Sequence, residues 1–109
     1  MTARRGDLVT ISLQGDYGKP RPALVIQSDF FNLHPSVTVL PVTSELRETP
    51  LFRIAVEPDG RNGLQRSSQI MVDKAQTLSV GKIGSAFGQL DDRTMVAVNQ
   101  ALAVFLGLA

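Results

Sequence analysis

Cysteine and tryptophan are absent from this chain, and it carries a single histidine, His34, and a single tyrosine, Tyr17. Without thiols there is no disulfide framework, no thiolate zinc site and no cysteine nucleophile. With so little aromatic surface the chain lacks the platforms on which passive single-strand binders usually stack bases. A charge excess is missing too. Eight Arg and three Lys stand against ten acidic residues, a net charge of +1, far from the basic surplus of a protein that coats nucleic acid. Any contact with nucleic acid must therefore be local. No apolar run is long enough for a membrane helix, and residues 1–7, although they include Arg4 and Arg5, are not followed by the apolar stretch of a signal peptide. The expectation is a cytoplasmic protein with no membrane contact. The acids are scattered and His34 has no neighbouring ligand at useful spacing, so neither a metal nor another cofactor is expected.

What is present suits one small domain. At 109 residues with 43% apolar composition, residues 1–109 can close one hydrophobic core. Residues 7–13 alternate imperfectly and are rich in β-branched side chains, which predicts a strand. Residues 15–22 concentrate Gly, Pro, Asp and Lys, the composition of an exposed loop, with Arg21 held extended between Pro20 and Pro22. A short buried strand follows at residues 23–27, then a connection at 30–35, and a second β-branched run at 37–42 that places Thr43 where a strand leaves the core. Residues 51–57 put Phe52, Ile54 and Val56 on one strand face, residues 58–62 form a turn, and residues 68–77 read as one further strand containing Ile70, Val72 and Ala75. Then the period changes. From Asp91, a good N-cap, apolar residues recur at Met95, Val98, Leu102 and Phe105, one face of a helix that Gly107 ends. Short strands followed by one helix, with no βαβ alternation, predict an α+β, mostly β fold: a small antiparallel barrel with a C-terminal helix.

Five stretches carry a resemblance in their order and spacing: Arg5-Gly6-Asp7-Leu8-Val9; Gly18-Lys19-Pro20-Arg21-Pro22-Ala23-Leu24-Val25; Val39-Leu40-Pro41-Val42-Thr43-Ser44; Ser68-Gln69-Ile70-Met71-Val72-Asp73; and residues 101–107 of the final helix. Together they resemble the MazF/PemK family over nearly the whole chain. The resemblance implies an SH3-like barrel of the CcdB/PemK type and a symmetric homodimer. It implies a growth-arresting toxin of a type II toxin–antitoxin pair that cleaves single-stranded RNA at short motifs without a metal. It also implies a cognate antitoxin that holds the toxin inactive, and contact with operator DNA only through the toxin–antitoxin complex.

Carried over by position, the family's catalytic arginine falls on Arg21 and its catalytic threonine on Thr43. A guanidinium keeps its charge at physiological pH and offers a fork of donors to phosphate oxygens, so Arg21 suits a clamp or an acid rather than a base. Without the family it would read as an ordinary loop arginine. Thr43 is a hydroxyl donor or simply a strand-end threonine satisfying the next backbone group, and Ser44 offers a second hydroxyl. Asp73 is read two ways, as acceptor of the 2′-hydroxyl proton or as a loop anchor paired with Lys74. Lys74 stands where many members carry glutamine, which favours phosphate or RNA contact at that position. Asp16 stands where serine or histidine is common, in a loop shorter than usual. With Asp16, Tyr17, Lys19, Ser44 and Lys74 make up the expected RNA-binding set. His34, next to Pro35, is read as a loop residue. Two other readings share the fold: a CcdB-like gyrase poison, against which the end of the chain lacks a tryptophan wedge, and an inactive relative that only binds its antitoxin or promoter.

Overall fold

The computed structural model describes residues 3–12, 19–49 and 51–109. Among these, seven strands precede one helix: β1 (Asp7–Ile11), β2 (Arg21–Val25), β3 (Ser36–Thr43), β4 (Arg53–Val56), β5 (Ser68–Met71), β6 (Gln76–Ser79), β7 (Ile83–Gln89) and α1 (Asp92–Phe105). Every pairing is antiparallel, in the order β4-β5-β3-β2-β1-β7, with β6 also on β3. This is the mostly β architecture with a C-terminal helix that the patterning predicts.

β3 is the hub. One edge pairs with β2 through Ala23↔Pro41, Leu24↔Leu40 and Val25↔Val39. The other edge is shared: β6 takes Ser36 to Val39, and β5 takes Val42 and Thr43. Pro41, with no N–H to offer a ladder, stands in the gap between those two partners. The stretch 68–77 is therefore not one strand. A 3-10 turn at Val72–Lys74 separates β5 from β6 and lets the chain leave β3 at one end and rejoin it at the other. Val72, fully buried, continues the inward alternation of Ile70, so nothing in the period signals the break.

The core explains why alternation along residues 7–13 is imperfect: both faces of the central strands are covered. Leu8, Leu24 and Leu40 lie across from one another and pack with Val42, Ile70, Val72 and Val98 of α1 on one face. Val9, Ile11, Ala23, Val25, Val37 and Val39 form a second cluster on the other, under Leu78 and Ile83. Burying each of the Val, Leu and Ile side chains among them contributes about 1.5–3 kcal/mol of gross stabilisation. β7 had no counterpart in the sequence reading. Its segment, Ile-Gly-Ser-Ala-Phe-Gly-Gln, is mostly exposed and carries two glycines, so it shows neither alternation nor β-branched enrichment. It is specified by pairing with β1, whose register shifts on either side of Val9.

Asp91 caps α1, accepting from Thr94 N at 3.1 Å and from Thr94 Oγ1 at 2.6 Å. Met95, Val98 and Leu102 pack against the first cluster, but Phe105 does not complete that face: it is 51% exposed. Its neighbours Val104, Leu106 and Leu108 are exposed as well. No helix among the described residues is long and apolar enough to cross a membrane.

Candidate functional site

Arg21 opens β2, opposite Ile11 of β1. It is thus a strand residue rather than part of the preceding loop, kept extended by Pro20 and Pro22. The β2–β3 pairing ends at Ala23↔Pro41, and the same register continued by two residues brings Arg21 across from Thr43, the last residue of β3. Two side chains 22 positions apart in the sequence are in this way aligned by backbone register.

Beyond Thr43 the chain makes a braced turn. Thr43 Oγ1 accepts from Glu45 N at 3.0 Å, which fixes the hydroxyl oxygen and leaves its proton to donate elsewhere. Gln69, paired with Thr43 across the β3–β5 ladder, grips both backbone polar groups of one turn residue: its Nε2 donates to Arg47 O at 2.9 Å and its Oε1 accepts from Arg47 N at 3.0 Å. Arg53 Nη1 donates to that same Oε1 at 3.0 Å and to Glu45 O at 2.9 Å. An exposed ion pair, Arg47 to Glu45 at 2.9 Å, closes the turn, and the hydrogen bond from Arg47 holds the Glu45 carboxyl below its ordinary range. Neither Gln69 nor Arg53 was singled out from sequence. Each is an ordinary polar residue on a strand, and only the pairing brings it under the turn.

Arg21, Thr43 and Ser44 line one cleft of about 1080 Å³, and Lys74 reaches it from the 3-10 turn between β5 and β6. Pro41, Met71 and Gln76 form its floor, where β3 has no edge partner. A further wall comes from Gly63 to Arg66 and from Phe87 of β7. Three cations, Arg21, Arg66 and Lys74, line this cleft, and no aspartate or glutamate among the described residues does. A chain with a net charge of only +1 therefore concentrates positive charge here.

The other expected residues are placed as follows. Asp73 is not among the cleft-lining residues; its Oδ2 lies 3.9 Å from Lys74 Nζ. Lys19 is exposed beside Pro20, which lines the cleft. Asp16 and Tyr17 lie outside the described residues. His34 is exposed, its Nδ1 accepting from Ser36 N at 3.0 Å in the loop ahead of β3. Arg66 and Phe87 went unremarked in the sequence. The first sits in a turn-rich stretch without periodicity, the second in the strand that showed no pattern.

Cations, hydroxyls and a fixed strand-end threonine in a groove on an antiparallel barrel define a class of protein fitted to an anionic, phosphate-bearing ligand. Comparison with known proteins sharpens this. Residues 4–106 match the family described as PemK-like, MazF-like toxin of type II toxin–antitoxin system. The chain is 44% identical over 107 residues to a probable endoribonuclease MazF of Mycolicibacterium smegmatis, covering 97% of this chain and 98% of that one. It is 32% identical to the endoribonuclease EndoA of Bacillus subtilis, covering 99% and 97%. Among solved structures, an endoribonuclease in complex with its cognate antitoxin from mycobacterial species superposes with a TM-score of 0.83 at 26% identity, over 98% of this chain and 97% of that one. The Mycobacterium tuberculosis toxin MazF-mt6 does so with 0.79 at 25% identity, over 93% and 96%. The chain belongs to the PemK/MazF family of toxins.

Proposed function

We propose that this chain is a MazF-type endoribonuclease, a single-domain cytoplasmic toxin that cuts single-stranded RNA. The observation that carries the reading is the convergence of Arg21, Thr43, Ser44 and Lys74 on one cleft whose described lining is cationic and free of carboxylates. In the reaction the RNA 2′-hydroxyl loses its proton to solvent as its oxygen attacks the adjacent phosphorus, the P–O5′ bond breaks, and the 5′-oxygen leaves with a proton taken from solvent. Negative charge builds on the non-bridging oxygens as this happens. Arg21 is the clamp for that charge, because its planar fork can donate two hydrogen bonds at once. Thr43 donates its free hydroxyl proton to the same phosphate, with Ser44 as a second donor. Lys74 contributes a positive charge to the RNA backbone, and Asp73 is read as the residue that holds Lys74 rather than as a base.

Two associations go with this reading. The first is a homodimer, supported by the exposed apolar side chains Val104 and Phe105 of α1 and by Phe30 and Leu33. The second is a cognate antitoxin, supported by the solved complex of a relative with its own antitoxin; operator DNA would be met only through that complex. An acidic antitoxin segment laid over the cleft would block RNA by charge and by volume. Relatives named as endoribonucleases favour this reading over a gyrase poison. The deciding experiment is product analysis: purified protein should cut single-stranded RNA in the presence of EDTA, leaving a 2′,3′-cyclic phosphate or 3′-phosphate and a 5′-hydroxyl. Products with a 3′-hydroxyl and 5′-phosphate, or cleavage abolished by EDTA, would overturn it.

A further inference from the structure

The cleft is larger than one phosphate requires, near the upper end of the usual range for ligand sites, and the wall formed by residues 63–66 and Phe87 is built to hold more. Asn62, 2% exposed, organises this wall from below: its Oδ1 accepts from Leu64 N at 2.9 Å and its Nδ2 donates to Glu57 O at 2.9 Å. Gln89 N donates to Arg61 O at 3.0 Å and ties the loop to β7. The contact is too close for a side chain on β7, since a Cβ on Gly88 would fall 2.1 Å from Asn62 O. Gly63 has φ +69°, and a Cβ there would lie 3.0 Å from Phe87 Cδ1. The Phe87 ring thus rests on bare glycine backbone, with 38% of the residue exposed. Next along the loop, Ser68 Oγ donates to Arg66 O at 2.8 Å, so the backbone carrying Arg66 is fixed while its side chain is exposed. Among the described residues the Arg66 guanidinium has no ion pair and no hydrogen bond.

We propose that Phe87 and Arg66 form a nucleotide subsite beside the scissile position, in which a base stacks on the Phe87 ring and Arg66 binds a flanking phosphate; this rests on the endoribonuclease reading. An aromatic ring and an unpaired guanidinium lining the same cleft match the two chemistries of one nucleotide, base and phosphate. Both groups stand on backbone held before the ligand arrives, so little ordering opposes binding. The base contact is tolerant of sequence, because every base has a π face.

The test uses the wild-type protein first, to map a cleavage site, and then an RNA oligonucleotide of that sequence with a 2′-deoxy substitution at the cut nucleotide, titrated at several salt concentrations. Arg66→Ala should bind about tenfold more weakly at low salt and flatten the plot of log affinity against log salt by about 0.7, the contribution of one single-strand phosphate. Arg66→Lys should restore the slope. Phe87→Leu should weaken binding by about five- to a hundredfold with the slope unchanged, and Phe87→Tyr should bind like wild type. Thermal midpoints near wild type would show that the variants fold. If wild-type protein cuts RNA while Arg66→Ala and Phe87→Leu bind it unchanged, the subsite is wrong and the endoribonuclease reading stands; weakened antitoxin binding with RNA binding intact would overturn it in the same way, assigning the wall to protein. If wild-type protein neither binds nor cuts RNA, both fall.

Discussion

At the residue scale the proposed chemistry depends most on Arg21. It is exposed at the start of β2, so Arg21→Ala should change folding stability by no more than about 0.5 kcal/mol. As a donor to charge that grows in the transition state, its loss should raise the barrier by about 2.7–4 kcal/mol, a fall in cleavage rate of roughly a hundred- to a thousandfold. Arg21→Lys should recover little, since an ammonium keeps the charge and loses the fork. Thr43→Ala should be milder, because a neutral hydroxyl donor is weaker and Ser44 lines the same cleft. Single-turnover cleavage alongside thermal unfolding separates these effects. A folded Arg21→Ala protein with undiminished cleavage would remove Arg21 from the mechanism. Arg21 and Thr43 were legible in the sequence because the motifs around them are contiguous, whereas Gln69 and Arg53, which brace the Thr43 turn, were not: their partners are backbone groups of a distant segment.

At the scale of elements, α1 offers a pH test. Its cap, Asp91, has a carboxyl held below its ordinary value, chiefly by the hydrogen bond from the Thr94 hydroxyl and then by Thr94 N. A carboxylate favoured in the folded state stabilises fully above its unfolded pKa, and that contribution is lost as pH falls through the lowered folded value. The Asp91 contribution should therefore be intact at neutral pH and decline below about pH 4. Asp91→Ala should lower the thermal midpoint more at pH 7 than at pH 3, and Asp91→Asn, which also caps, should lie between wild type and Asp91→Ala at pH 7. An equal loss from Asp91→Ala at both pH values would contradict the charged cap. The helix and its cap were readable because both are local. The break at Val72–Lys74 was not, since Ile70 and Val72 keep a strand's period through it.

At the scale of the whole molecule, the unsatisfied feature is exposed apolar surface. Leu33 is 86% exposed, Phe30 85% and Leu108 78%, and Val104 to Leu106 continue the last stretch along the helix end. Apolar surface left exposed on this scale marks a site of association. The proposed homodimer would bury part of it, and light scattering at micromolar concentration should give twice the mass of the 11.8 kDa chain. A monomer there would contradict it.

By itself the sequence determined those features whose cause lies within a few residues: the β-branched runs of β1 and β3, the extended Pro-Arg-Pro around Arg21, the strand-end Thr43, and the capped amphipathic helix. It also determined that the two signs of charge nearly balance, so that any binding of an anionic ligand had to be confined to one place. Where that place lies was decided only by the tertiary structure. β3 changes partner at Pro41, and this opens the floor of the cleft. β7, almost without pattern of its own, is specified by β1 and brings Phe87 against Gly63. A buried Asn62 fixes the loop that carries Arg66. Each of these depends on backbone pairing or close approach between segments far apart in the chain, and periodicity, propensity and motif report only on neighbours.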